Sequence, residues 1–162
     1  MPTSQRSIFR SKGLAHSIEA LSDEIRELYL ADSTPWVVGY SGGKDSSATL
    51  QLVWMAIRKL PAAERAKPVH VISTDTLVEQ PIVAKWVEMS LDRMRTAARE
   101  QEMPIQPHKL TPEVADSFWV NLIGRGYPAP SQKFRWCTER LKIKPSNKFI
   151  RGVVQKYGEA IL

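Results

Sequence analysis

Pro35-Trp36-Val37-Val38-Gly39-Tyr40-Ser41-Gly42-Gly43-Lys44-Asp45-Ser46 runs from an apolar strand through a glycine pair into a helical pattern that begins near Lys44. Two adjacent glycines let the backbone turn tightly and approach a ligand closely. A helix that starts at such a turn brings free backbone N–H groups and the positive end of its dipole to one point, which favours an anion. Lys44 adds a full positive charge, and the Ser41 and Ser46 hydroxyls add donors. The expected occupant is a phosphate chain. The order is not that of a Walker loop, G-x-x-x-x-G-K-S/T, because Asp45 follows Lys44 and the upstream glycine is missing. Nor does it match G-x-G-x-x-G.

Outward from this stretch, strands and helices alternate. Leu14, Ile18, Leu21, Ile25 and Leu28 stand at three- and four-residue spacing and predict a helix over 14–31. Strand one covers 36–41. The next helix runs from 44 to 59, with Leu50, Val53, Trp54 and Ile57 as its buried stripe, and Pro61 stops it. Strand two is Val69–Thr74, and a helix from Pro81 to Glu102 has its proline in the first turn. Ile105–Leu110 reads as a third strand, at an edge or irregular because of Pro104 and Pro107. A short helix over 113–123, an exposed loop over 124–134, a helix or turn over 135–143 and a helix opened by Pro145 follow. Trp54, Trp86 and Trp119 fall on helical patterns and read as core. Residues 1–12, polar and basic, read as loosely ordered. Glu159-Ala160-Ile161-Leu162 looks like the entry to a further buried strand, which suggests a piece of something longer. The pattern is that of one α/β domain over 1–162, a parallel sheet flanked by helices. Ligands of such sheets bind beyond the carboxyl ends of the strands, where Ser41–Ser46 and Asp75-Thr76 both fall.

At 162 residues, with 43% hydrophobic and 25% charged, the chain has an ordinary globular composition. It shows no apolar stretch long enough to span a bilayer and no signal-peptide core, and its one cysteine, Cys137, cannot form an internal disulfide. A soluble cytoplasmic protein without a membrane partner is expected. The net charge of +6 is uneven: residues 1–108 carry 13 basic and 13 acidic side chains, residues 109–162 carry 10 and 4. A basic surface of this kind attracts polyanions such as nucleic acid or nucleotides, or is a solvated face without a partner.

Asp75 closes strand two within reach of the glycine loop. It reads as a Mg²⁺ or nucleotide contact, or as a turn-capping carboxylate. Asp45, beside any bound phosphate, reads as a Mg²⁺ ligand or a helix cap. A second cluster is Phe134-Arg135-Trp136-Cys137-Thr138-Glu139-Arg140-Leu141-Lys142-Ile143-Lys144-Pro145. Cations stabilise a thiolate, so Arg135 and Arg140 are candidate activators of Cys137 as a sulfur carrier or nucleophile. The alternative is an inert buried thiol, with Arg135, Arg140, Lys142 and Lys144 as phosphate contacts or a solvated face. Trp136 is a candidate platform for a base. Arg125, Tyr127 and Lys133 are candidate nucleic-acid contacts or plain loop residues. His70 reads as structural, His16 and His108 as isolated, and no Cys/His spacing suggests zinc.

Ser41–Ser46, Ser73-Thr74-Asp75-Thr76-Leu77-Val78-Glu79, the run Ser117–Pro130 and the run Phe134–Pro145 together carry a resemblance that covers nearly the whole chain. The sequence resembles the phosphoadenylyl-sulfate reductase branch of the N-type ATP pyrophosphatases, the PP-loop superfamily. Within it the chain is similar to the DndC sulfurtransferases of bacterial DNA phosphorothioation. The resemblance implies a Rossmann-like, HUP-type domain that binds ATP through Ser41, Gly42, Gly43, Lys44, Asp45 and Ser46, with Asp75, Thr76 and Lys142 as further contacts. It implies ATP-driven activation of a DNA backbone phosphate with release of pyrophosphate. Sulfur from a cysteine desulfurase then replaces a non-bridging oxygen, in concert with other Dnd proteins of a restriction system. Lys44, Asp45, Arg135, Cys137 and Arg140 are the implied catalytic set, with Mg²⁺ on Asp45 and Asp75. Family members also carry an iron–sulfur cluster, which Cys137 alone cannot hold. A sulfonucleotide reductase and a non-catalytic nucleotide-binding scaffold are the rival readings.

Overall fold

The computed structural model describes residues 13–162; segment 1–12, expected to be loosely ordered, lies outside them. Helix α1 (Leu14–Leu30) leads into strand β1 (Trp36–Gly39). Helix α2 (Lys44–Arg58) then connects β1 to β2 (Val69–Thr74), and α3 (Pro81–Glu100) connects β2 to β3 (Ile105–Leu110). The strands are parallel in the order β1-β2-β3, with Trp36 opposite Val69 and Val69 opposite Ile105. Both connections step across the sheet in the same direction, so right-handed crossovers put α2 and α3 on one face. Their Leu50, Val53, Ile57, Leu91 and Ala98 close on Val69, Val71 and Ile105 to form the core. The last helix, α4 (Lys144–Tyr157), covers the other face, where Phe149 packs against His70 and His108 at ring-centroid distances of 5.6 and 4.6 Å. With both faces covered, β2 is buried from Val69 to Ser73, as a central parallel strand is, with the polar His70 and Ser73 buried among its apolar residues.

Beyond α4 the chain returns to the free edge of β1. The Val37 N–H donates to the Ile161 carbonyl at 2.7 Å and the Ile161 N–H donates to the Pro35 carbonyl at 3.0 Å. The strand entry expected at Glu159–Leu162 is thus one parallel bridge, Trp36 to Ile161, and Ile161 and Leu162 are exposed rather than buried. Successive connections run outward from β1 through β2 to β3, then back past β1. The direction of strand order reverses at β1, and the crevice at such a reversal is where open α/β sheets bind ligands.

Several elements depart from expectation for physical reasons. The α1 stripe is split: Ile18 and Ile25 turn inward beside Ser22 and Tyr29, while Leu14, Leu21 and Leu28 are exposed. Tyr29 fixes this rotation by donating its hydroxyl to the Lys67 carbonyl at 2.6 Å. β1 ends two residues early, where the glycine loop begins. In place of a helix over 113–123 there is a short 3₁₀ turn, Val114–Asp116, and a π-helical turn, Val120–Gly124. The segment from Trp136 to Tyr157 is one continuous run with a π-helical stretch, Glu139–Ile143, just before Pro145. A proline ring crowds the carbonyl four residues earlier and offers no N–H, and a widened turn ahead of it relieves both. Trp86 and Trp119, expected in the core, are 49% and 57% exposed. No helix among the described residues is long and apolar enough to cross a membrane.

Candidate functional site

The glycine loop is shaped by its own hydroxyls. The Tyr40 N–H donates to the Ile72 carbonyl at 2.8 Å, extending the β1–β2 pairing to the loop's first residue. Gly42 then turns at φ 75°, the left-handed region that glycine enters without cost. A side chain there is excluded twice over, because an added Cβ would lie 2.3 Å from Trp86 Cζ3. The exposure of Trp86 follows from this packing: its indole covers the loop glycine rather than the core. Ser46 Oγ accepts from the Ser41 N–H at 3.3 Å, donates to the Gly43 carbonyl at 3.1 Å and lies 3.1 Å from Ser41 Oγ. Ser41 Oγ accepts from the Gly43 N–H at 3.4 Å. Gly43 caps α2 with extended backbone, and no side chain bonds the free N–H groups of the first turn. Asp45 is therefore not a side-chain cap. Lys44 and Asp45 stand exposed on that turn.

The loop opens on a cleft of about 400 Å³. Ser41 and Ser46 line it on one side, Ile72, Ser73 and Thr74 from the end of β2 on another, and Val83, Ala84 and Val87 of α3 form an apolar wall. Lys109 and Lys142 bring two cations to it, and Asp75, Glu79 and Glu88 bring three carboxylates. An apolar wall facing a hydroxyl-lined, N–H-rich loop suits a ligand with a flat apolar part and an anionic tail.

Asp75 has two partners. One carboxylate oxygen lies 3.1 Å from Lys109 Nζ, and the other accepts the Leu77 N–H at 2.9 Å. The second bond closes a tight turn that holds Leu77 at φ 62°, in the left-handed region. The capping reading of Asp75 thus holds geometrically, and its free charge is matched by a lysine. That carboxylate, with Glu88 3.5 Å from the same ammonium, holds Lys109 above the ordinary lysine range. Thr76 is buried and donates to Glu79 at 3.2 Å, and Glu79 lies 3.9 Å from Lys142 Nζ. Thr76 shapes the turn and does not line the cleft. Among the described residues no group of three His, Cys, Asp or Glu is placed to hold a metal, and Asp45 stands apart, exposed on the first turn of α2. A cation at Asp75 would also meet Lys109.

The Cys137 cluster is built differently. Cys137 is half-buried in a one-turn segment, Trp136–Thr138, and lines no part of the cleft. Trp136, a candidate base platform, is buried; it stacks on Phe118 at 5.4 Å and donates its indole N–H to the Pro128 carbonyl at 3.0 Å. Arg140, a candidate activator, donates to Asp116 at 2.5 Å and to the Tyr127 hydroxyl at 2.8 Å. Asp116 also takes Lys144 at 2.9 Å, and these two cations hold its carboxyl below the usual range, Lys144 contributing most. Arg125 donates to the Asn121 side chain, which is fully buried and bonded to the Ala115 and Ser117 carbonyls. The run 113–144 is therefore a polar and aromatic clasp around Asp116, Asn121 and Trp136. Arg135 stays exposed beside it. No cluster can be built on Cys137 alone, so an iron–sulfur centre does not fit the residues present.

Sequence reasoning missed Lys109, whose only sign is a lysine near the carboxyl end of the third strand. It also missed the imidazole pair: His108, read as isolated, has Nε2 3.1 Å from Nδ1 of His70.

No family model matches the chain. An uncharacterized protein of Methanocaldococcus jannaschii is 31% identical to it over 126 residues. Those residues make up 78% of this chain and 22% of that protein, so the chain spans about a fifth of the relative's length.

Proposed function

We propose that the chain is an ATP pyrophosphatase domain of the PP-loop type, acting as the nucleotide-activating part of a DNA phosphorothioation sulfurtransferase. In the first step a non-bridging oxygen of a DNA phosphate attacks the α-phosphorus of ATP, and pyrophosphate leaves. A sulfur nucleophile then displaces AMP, which carries that oxygen away. The observation that supports the first step is the cleft at the strand-order reversal: Ser41 and Ser46 line it on one side, where the uncapped first turn of α2 begins, and Lys109 and Lys142 on the others. Free N–H groups and lysines stabilise charge that develops on departing pyrophosphate. The apolar wall of Val83, Ala84 and Val87 suits the adenine ring. The divalent cation comes bound to the ATP phosphates in this reading, since Asp75 is engaged by Lys109 and the Leu77 N–H, which leaves the exposed Asp45 as the carboxylate free to reach it.

The DNA substrate and the cysteine desulfurase partner rest on the sequence resemblance and on the basic last third of the chain. The position of Cys137 outside the cleft favours a second reading, in which the domain binds and cleaves ATP while sulfur is handled elsewhere. The test is product identity with α-labelled ATP and Mg²⁺, with and without DNA, beside Lys44→Ala. AMP and pyrophosphate that depend on Lys44 and rise with DNA support the proposal. ADP and phosphate, or products unaffected by Lys44→Ala, refute it. Cys137→Ser separates the two readings: under the first it abolishes sulfur incorporation but not pyrophosphate release.

A further inference from the structure

On the sheet face opposite α2 and α3 lies a second, larger recess, an open groove of about 1250 Å³ between α4 and the segment that follows β3. One wall is the polar side of α4. Lys144, Lys148 and Arg151 stand on it at i, i+4 and i+7, one cation per helical turn of about 5.4 Å. Arg151 and Lys156 have no acidic partner among the described residues; the Lys156 ammonium sits 4.9 Å from the Tyr157 ring centroid. Glu113, Asp116 and Glu139 also line the groove; Asp116, mostly buried, holds Lys144 at 2.9 Å, whereas the Glu113–Lys148 pair, at 2.7 Å, is exposed on both sides. Exposed pairs of that kind are held weakly and yield to a better anion. The floor is aromatic, with Phe149, His70 and His108, and Tyr157 stands at its edge, 41% exposed. Opposite Gly152 the groove is open: a Cβ built there meets nothing within 4 Å.

A regular row of cations beside flat rings is the arrangement that holds a single nucleic-acid strand, phosphates on the cations and bases on the rings. We propose that this groove binds a single-stranded segment of nucleic acid, with Lys148 and Arg151 on the phosphates, Lys144 adding positive potential from its place beside Asp116, and Tyr157 as a stacking face. The inference rests on the proposed function in that it names the surface which receives the DNA. It differs from that reading in site, since the groove lies on the α4 face and the glycine loop is no part of it.

Fluorescence anisotropy with a labelled mixed-sequence single-stranded oligonucleotide tests it. The double variant Lys148→Glu/Arg151→Glu changes two exposed helix positions, and circular dichroism checks its fold. Its affinity is expected to fall about tenfold or more, and the salt slope by about two, one for each lost phosphate contact. Arg58→Glu, a single charge reversal on α2 across the sheet, is expected to leave both near the parent values. Glu113→Gln is expected to tighten binding about twofold, because it frees Lys148. Unchanged affinity in the double variant, an equal loss in Arg58→Glu, or no binding by the parent chain overturns the groove. Inorganic polyphosphate that competes as well as the oligonucleotide at equal charge overturns the nucleic-acid assignment. Pyrophosphate release is scored in the same samples, so failure of the groove and failure of the proposed activity are read separately.

Discussion

The loop at Ser41–Ser46 and the segment around Cys137 are both short motifs that place a cation beside a reactive group, yet the fold uses them in different ways. The loop sits where β1 ends and strand order reverses, so two hydroxyls, the start of α2 at Ser46 and the ends of β2 and β3 converge on one cleft. The Cys137 segment lies in a helical run whose neighbouring side chains are taken up by packing. Arg140 is bonded to Asp116 and Tyr127, and Trp136 to Phe118 and Pro128. Parallel sheet topology gathers groups far apart in sequence, such as Ser41, Asp75 and Lys109. Adjacency along a helix does not by itself aim cations at a thiol.

Substitutions on either side can break this contrast, and the largest effect is expected at Gly42. Gly42→Ala combines a left-handed φ, costing about 1–2 kcal/mol, with overpacking against Trp86 of about 1–3 kcal/mol. ATP cleavage should fall by about a hundredfold or more. The double variant Gly42→Ala/Trp86→Ala should recover part of that, because it removes the overlap and leaves the dihedral penalty. Steady-state rates and thermal melts of the pair check this; parent-like activity in Gly42→Ala would mean that the loop is not held as described.

The next effect is on stability rather than chemistry. Arg140→Met removes two hydrogen bonds, one of them to a carboxylate, from a largely buried network and should cost about 2–3 kcal/mol in urea unfolding. Cleavage per folded molecule should persist, and its loss would restore Arg140 to the active site. Lys109→Met removes a cation from the cleft and should raise the KM for ATP about tenfold, equal to about 1.4 kcal/mol.

A smaller effect is expected from pH. Burial, more than the nearby Lys156, depresses His70, and burial followed by His70 and Arg95 depresses His108. A histidine depressed in the folded state is protonated first in the unfolded chain. Its stability contribution is therefore complete above the unfolded value of about 6.5 and is lost as pH falls below it. The loss should reach at most about 1.4 kcal/mol per pH unit for each ring. Melting temperatures between neutral and mildly acidic pH measure it, and His70→Phe should flatten the slope. Cys137→Ser stands at the bottom of the scale, with less than about a twofold change in AMP release, well below the about 1.4 kcal/mol of a tenfold effect. A drop as large as that of Lys109→Met would erase the contrast.

The sheet was legible because its cues are local. An apolar run before a glycine pair, Pro81 in a first turn and the uniformly buried Val69–Ser73 each follow from short-range rules. The loop was legible for the same reason, as strand, turn and helix are contiguous. What could not be read depends on partners distant in sequence. Lys109 meets Asp75 only because β3 pairs with β2 in one register, and Trp86 is exposed because it caps a glycine 44 positions earlier. The Asp116–Arg140–Tyr127 clasp joins three turns that carry no common pattern. Leucines at 14, 21 and 28 share the helical period with the inward face, and the Tyr29 hydroxyl bond to the distant Lys67 carbonyl goes with the face that turns in.

The most direct measurement is a crystal structure with Mg²⁺ and α,β-methylene-ATP, which cannot be cleaved at the bond in question. The expected result is a phosphate chain within about 3 Å of the first-turn N–H groups of α2 and the Ser41 and Ser46 hydroxyls, with the base against Val83 and Val87. A nucleotide seated beside Cys137 or along α4, with the Ser41–Ser46 loop untouched, would contradict the assignment of the strand-end cleft.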